Sequence, residues 1–451
     1  WHVPEQRAMP AAGFFYLLVE DNRTSWLAGS EPPWGRPLRG LPADGDFHMT
    51  DWHDIAHVLV WRLAGHPSRT LRPAEATVCV VASPMAGDRD HAKAAMRGSG
   101  CSHPSRVRAR LLALGDAVCP GRPVAVIDGP DADGSKTALC AGLWSPRSCA
   151  EGGADRLVRI TGNAPGLQSE VATGGTRGLC RRLTVPYLAH ARTPHAAAAT
   201  STELAAAARR PRRVAFAAAS WGHVDADAHG FVAWRKALRN ACTSARHANG
   251  SGACEWVYVS MSGNGAEDAL RLYAGSDFCL QPPGDTLPRP GIIDALSVVC
   301  VPVLFHPRQA ELWPHHWRGA ASSSVTFDWT DGAPRPRLRD HASYAPRAAA
   351  ALHALAATPA ARLRDLQSSV AAAAARLVYS SVKGAAPWVG GDAVDELVRQ
   401  LGALHAPPSE AEVAAYVRQL AARAELIAAQ RRHEKRRRAQ RAQRKRAVRE
   451  Q

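Results

Sequence analysis

The chain has 451 residues, 46% of them hydrophobic, a net charge of +16 and ten cysteines. This is enough for two or three domains with a sizeable core, and it excludes a disordered or fibrous chain. Residues 431–451 hold 11 basic and 2 acidic residues, so the tail carries more than half of the charge and the body does not read as a nucleic-acid binder.

In chain order, the first strong signals are a helix over 51–64 and a strand at 76–83. A helix at 105–114 and strands at 123–128 and 156–161 follow. Residues 191–211, "ARTPHAAAATSTELAAAARRP", have low complexity and no strand pattern, and read as a linker. Beyond them come a strand at 212–220, a helix at 231–244, a strand at 255–260, helices at 265–273 and 290–298, and a strand at 301–305. Alternation of apolar β-branched runs with helical segments predicts parallel sheets. Five units are expected: an N-terminal Rossmann-like domain over 1–190, the linker, a second such domain over 212–345, a helical region over 346–425 and a basic tail over 426–451. No apolar run reaches the ~18–20 residues of a membrane span.

The cysteines form no C-x-x-C pair, which argues against a zinc ribbon. Cys242 and Cys254 flank a short polar loop and are the preferred disulfide. Asn22 and Asn249 head two N-x-[ST] tripeptides, which fit glycosylation in a secretory lumen. Three Asp-x-Asp pairs, 44/46, 131/133 and 225/227, read as turns rather than metal sites. His315 and His316 are adjacent, so their side chains point apart, and they read as cleft or surface residues.

The segment "SDFCLQPPGDTLPRPGIIDALSVVCVPVLF", 276–305, is the least ordinary. If "DFCLQ" is a strand and 290–298 a helix, then "PPGDTLPR" joins them. Gly284 permits close backbone approach, Thr286 offers a hydroxyl, and the helix start attracts a phosphate. Arg289 can add a charge-assisted contact to a diphosphate, and Asp294 can accept from both ribose hydroxyls. A Pro/Gly turn with a surface Arg and a helix-stabilising Asp explains the same residues.

This segment resembles the signature of the exostosin family, glycosyltransferase family 47: S-x-F-C-L-x-P-x-G-D-T, an Arg, an acid-Ala-Leu, Gly-Cys and a Pro-led strand. "HPSRTLRPAEATVCVVASP" (66–84), "RRLTVPYLAH" (181–190), "RRVAFAAASWG" (212–222) and "ELWPHHW…SSVTFD" (311–328) resemble further family segments in the same order. The resemblance implies an α/β, GT-B type fold: two Rossmann-like domains facing a central cleft, followed by C-terminal helices. It implies an inverting transfer of a sugar from a UDP-sugar to an oligosaccharide, polysaccharide or glycoprotein acceptor, without a cofactor or an Asp-x-Asp metal. It also implies residence in the Golgi lumen, with an N-terminal anchor outside this chain. Arg289 would hold the diphosphate and Asp294 the ribose. Ser276, Gln281, Gly284, Asp285 and Thr286 would line the donor pocket.

This sequence departs from the family pattern at Pro290 and Gly291, where Arg and Ser are usual, and at Val298 and Val299, which replace small residues. Two phosphate donors are thereby lost, which leaves a non-catalytic glycan-binding or partner subunit as the alternative. An inverting transfer needs a base. Asp51 is the expected one, at the start of "DWHDIAH", where the residues also suit a helix cap. The tail could take an anionic partner.

Overall fold

The computed structural model describes residues 14–19, 37–38, 47–50, 55–82, 104–127, 156–161, 181–192, 210–219, 231–249, 253–259, 265–284, 287–330, 338–386 and 390–404. Asn22, Asp51, Asp285, Thr286, most of the expected linker and the basic tail lie outside these residues.

The first half runs β1 (Phe15–Val19), α1 (Ile55–Ala64), β2 (Val78–Ala82), α2 (Pro104–Val118), β3 (Val124–Ile127), β4 (Leu157–Thr161) and β5 (Arg181–Thr184). The five strands form one sheet in the order β1-β2-β3-β4-β5, every pair parallel. β2, β3 and β4 are buried along their whole length. This is why they read as continuous apolar runs: a parallel sheet is covered on both faces.

The second half runs β6 (Arg212–Ala219), α3 (Phe231–Asn249), β7 (Cys254–Val259), α4 (Gly265–Ala274), β8 (Ser276–Gln281), α5 (Pro290–Ser297), β9 (Val301–Leu304) and β10 (Val325–Thr326). Its sheet is also all parallel, in the order β10-β9-β8-β6-β7. α3 buries Phe231, Trp234, Leu238 and Cys242, a stripe at helical spacing. Disulfides join Cys242 to Cys254 and Cys279 to Cys300. The first ties the middle of α3 to the start of β7, and the second ties β8 to the residue just before β9.

α5 ends in a Schellman turn. Cys300 N–H donates to Ala295 O and Val299 N–H to Leu296 O. The left-handed position falls on Val299, at φ 58°. That conformation costs a β-branched residue about 1–2 kcal/mol. Val299 is 1% exposed, and burying a Val side chain returns a comparable amount. A valine therefore stands where a small residue would be the unstrained choice.

Two connections join the halves. After β5, residues 185–191 run between the two cores: Val185 and Leu188 pack into the first, and Tyr187, Ala189 and Ala191 into the second. The crossing thus begins before the linker expected at 191–211. The chain then extends through α6 (Ala345–Ala356) and α7 (Ala360–Ala374), which cover the second core, and returns. Its last described helix, α8 (Ala393–Ala403), buries Val394, Leu397, Val398 and Leu401 in the first core. Tyr379 Oη, on the returning segment, donates to Pro186 O at 2.6 Å. The architecture is α/β of GT-B type.

Candidate functional site

Topology assigns the two sheets different roles. The first sheet follows chain order without reversal. In the second, β6 leads through α3 to β7 on one side, while its neighbour β8 leads through α5 to β9 on the other. Adjacent strands whose connections diverge open a crevice beyond their carboxyl ends, the place where α/β sheets bind ligands. The loop that leaves β8 there is 282–289.

Arg289 closes this loop. It occupies the N-cap of α5 in extended conformation, with Pro290 at the first helical position. Its Nη1 donates to Pro282 O at 2.7 Å, so the guanidinium bridges the two ends of the loop. Beneath it, Gln281 Nε2 donates to Tyr273 Oη at 3.0 Å, and Gln309 Nε2 donates to Gln281 O at 3.0 Å. Tyr273 is fully buried, and its phenol is pushed up by desolvation, with Arg289 and Gln281 pulling the other way. Gly291 sits tightly in this packing: a Cβ there would lie 2.8 Å from Gln281 Oε1 and 3.3 Å from Tyr273 Oη, so that Gln281 would have to shift. The departure from Ser at 291 thus belongs with the buried Gln281–Tyr273 pair.

Asp294 is 4% exposed. Its Oδ1 accepts from His190 N–H at 2.8 Å and Ala191 N–H at 3.3 Å. Its Oδ2 lies 2.7 Å from His190 Nδ1. Three of the roughly four acceptor positions of a carboxylate are therefore used. A ribose would find one position, not the two oxygens expected from the sequence. The reason is that residues 189–191 cross directly over α5.

Ser276 is corrected more sharply. It begins β8, at the opposite end from the crevice, and its Oγ donates to Leu272 O at 2.6 Å. At about 3.3 Å per residue, some 17 Å of strand separate it from Gln281. Gly284 is half-buried in the loop. His316 is 1% exposed, its Nε2 donating to Ala393 O at 3.1 Å. It belongs to the core, not to a cleft or surface.

His190 escaped the sequence reading, and no local signal marks it: a single His in an irregular segment, it acquires a partner 104 residues away only in the fold. The structure also places residues 47–50 beside it. Phe47 bridges Ala191, His48 N–H donates to His190 O at 2.9 Å, and Thr50 Oγ1 donates to Ala189 O at 2.8 Å. The segment that leads to Asp51 therefore runs next to the Asp294–His190 pair.

The fold thus comprises two parallel α/β units, with the loop that ends at Arg289 leaving the switch point of the second. Among known proteins, residues 144–324 match the family model described as the Exostosin GT47 domain. Over 45 residues the chain is 47% identical to xyloglucan-specific galacturonosyltransferase 1 of Arabidopsis thaliana, covering 10% of this chain and 7% of that one. Over 68 residues it is 41% identical to xyloglucan galactosyltransferase XLT2 of the same plant, covering 14% and 13% respectively. The chain thus spans only a small part of the length of these relatives. Among solved structures, a UDP-forming trehalose-phosphate synthase from Burkholderia vietnamiensis aligns over 87% of this chain and 97% of its own, at 12% identity and a TM-score of 0.37.

Proposed function

We propose that this protein is an inverting glycosyltransferase that moves a sugar from a UDP-sugar to a polysaccharide acceptor. The observation that carries this reading is Arg289 at the head of α5, on the loop that leaves the switch point of the second sheet. A diphosphate there meets the positive end of the helix and a guanidinium suited to bidentate contact. Gly284 belongs to the same loop and would line the donor pocket. Pro290 has no N–H, so the helix start offers one donor fewer than usual, and Arg289 carries a larger share of the phosphate binding. The relatives are xyloglucan galactosyl- and galacturonosyltransferases. UDP-galactose or UDP-galacturonate as donor and a xyloglucan-type glycan as acceptor are therefore the substrates to try first. The Cys242–Cys254 and Cys279–Cys300 disulfides suit the oxidising lumen of the secretory pathway.

UDP binding, measured by calorimetry, tests the reading. Losing a charge-assisted contact costs about 1.5–3 kcal/mol, so Arg289→Ala should weaken UDP binding by roughly 10- to 100-fold. A folded native chain that binds xyloglucan oligosaccharides but not UDP would sink the transferase reading and leave a non-catalytic glycan-binding subunit.

A further inference from the structure

The Asp294–His190 pair joins the two halves at the mouth of the proposed donor site. We propose that His190 is the catalytic base of the transfer and that Asp294 is its positioning residue. This rests on the glycosyltransferase reading above.

The first ground is the proton inventory. An ionised carboxylate only accepts hydrogen bonds. With Asp294 Oδ2 at 2.7 Å, His190 Nδ1 must carry the proton and donate it. The neutral ring then holds its lone pair on Nε2, the tautomer that a base requires. Asp294 cannot swing away to bind otherwise, because the backbone N–H groups of His190 and Ala191 hold its other oxygen. Carboxylate and imidazole are thus fixed with respect to each other before any substrate arrives.

The second ground is exposure. The Asp294 side chain is 5% exposed and the His190 side chain 19%. The Nδ1 edge of the ring faces the buried carboxylate, so the accessible edge is the opposite one, which carries Nε2.

The third ground is position. His190 ends the segment that follows the carboxyl end of β5, while Asp294 lies on the helix headed by Arg289. Five residues of helix place the Arg289 head about 7.5 Å from Asp294 along the axis. His190 therefore stands where the first domain, the side from which an acceptor would come, meets the helix headed by Arg289.

The step balances. The acceptor oxygen attacks C1 of the sugar, and its proton passes to His190 Nε2. The bond from C1 to the phosphate oxygen breaks, and its electron pair leaves with UDP. The imidazolium that results is stabilised by the Asp294 carboxylate.

A mere tie between the two halves would use only Nδ1–H, and this separates the two roles. In His190→Asn the amide N–H can reach Asp294 as Nδ1–H does, but nothing replaces Nε2. Transfer from UDP-galactose and from UDP-galacturonate to xyloglucan oligosaccharides is measured for the native chain, His190→Asn and His190→Ala, alongside UDP binding by calorimetry. General-base catalysis contributes roughly 10²–10⁴-fold. Both variants should lose kcat by about that factor, while UDP affinity in His190→Asn stays within about twofold of native. If His190→Asn keeps its kcat within about threefold of native, His190 is a tie and the proposal is overturned. A native chain that neither binds UDP nor transfers sugar removes the donor reading, and the base role falls with it. A native chain that binds UDP and transfers, beside an equally active His190→Asn, overturns the base role alone.

Discussion

Arg62→Met will lower the unfolding free energy by about 3–5 kcal/mol, the cost of stripping a buried charge of its partner. Arg62 lies on α1 and is 0% exposed. Its Nη1 contacts Asp392 Oδ2 at 2.7 Å and Ser380 O at 2.7 Å, and its Nε donates to Gly384 O at 2.8 Å. All three partners belong to the segment that returns from the second half to the first. Asp392 also caps α8, accepting from Val394 N–H and Asp395 N–H, while Asp395 reaches back to Asp392 N–H in a capping box. Burial pushes the Asp392 carboxyl up to about 6 even with Arg62 present. Without Arg62 that carboxylate keeps its desolvation penalty and loses its counter-charge. Space leaves no easy relaxation: Gly384 has φ +95°, and a Cβ there would lie 2.6 Å from Gly65 O. Urea unfolding of Arg62→Met against native reads the loss directly. The double variant Arg62→Met, Asp392→Asn, which leaves no charge behind, should recover part of it. A single variant within about 1 kcal/mol of native would show that the α8 return contributes little to holding the first core together.

The return of α8 to the first core is also where sequence reasoning stops. Ala-rich helices in the last quarter of the chain are legible from composition. Which core each one covers is not, because that depends on Arg62, His66 and Tyr379 meeting residues hundreds of positions away. The same limit explains the strands. Runs such as "VCVVA" and "CEWVYV" are written as strands by local pattern alone. β1 and β5 escape that reading: "RRLT" is half basic, and "FYLLV", although apolar and as long as "VCVVA", goes unread. Pairing with β2 and with β4 makes them strands. At the candidate site, the loop around Arg289 was readable because Pro and Gly punctuate it and a helix follows. Ser276 was misplaced because nearness in a motif is not nearness in space, with a whole strand standing between it and the loop. His190 was invisible because its chemistry comes entirely from Asp294.

Acid should weaken this same junction through His316. Complete burial lowers the imidazole to about 3 from its usual value of 6.5. Nε2–H is donated to Ala393 O at 3.1 Å, at the first residue of α8. Above pH 6.5 the ring is neutral in the folded and unfolded states alike, and the contact is fully present. Between pH 6.5 and about 3 the unfolded chain takes up a proton that the folded one refuses. Stability is therefore lost as pH falls through that window, by about 1.4 kcal/mol per unit. Asp392 acts in the opposite sense. Its raised carboxyl binds a proton more readily in the folded state, so acidification from about pH 6 toward 3.8 favours folding. Asp395 is held down to about 2, opposed by burial but stabilised as the anion by His66 and by the backbone N–H groups of Asp392 and Ala386. It withdraws stability as pH falls from 3.8 toward 2. The native chain alone would show the sum of these effects, so the measurement is a difference. His316→Gln keeps a donor for Ala393 O and removes the titration. The native chain's advantage over this variant, from urea unfolding at a series of pH values, should be flat above pH 7 and smaller by about 3 kcal/mol at pH 4. A difference that does not change with pH would mean that His316 takes up its proton inside the fold, with Nδ1 finding a partner there, and that the acid response of the junction comes from Asp392 and Asp395 alone.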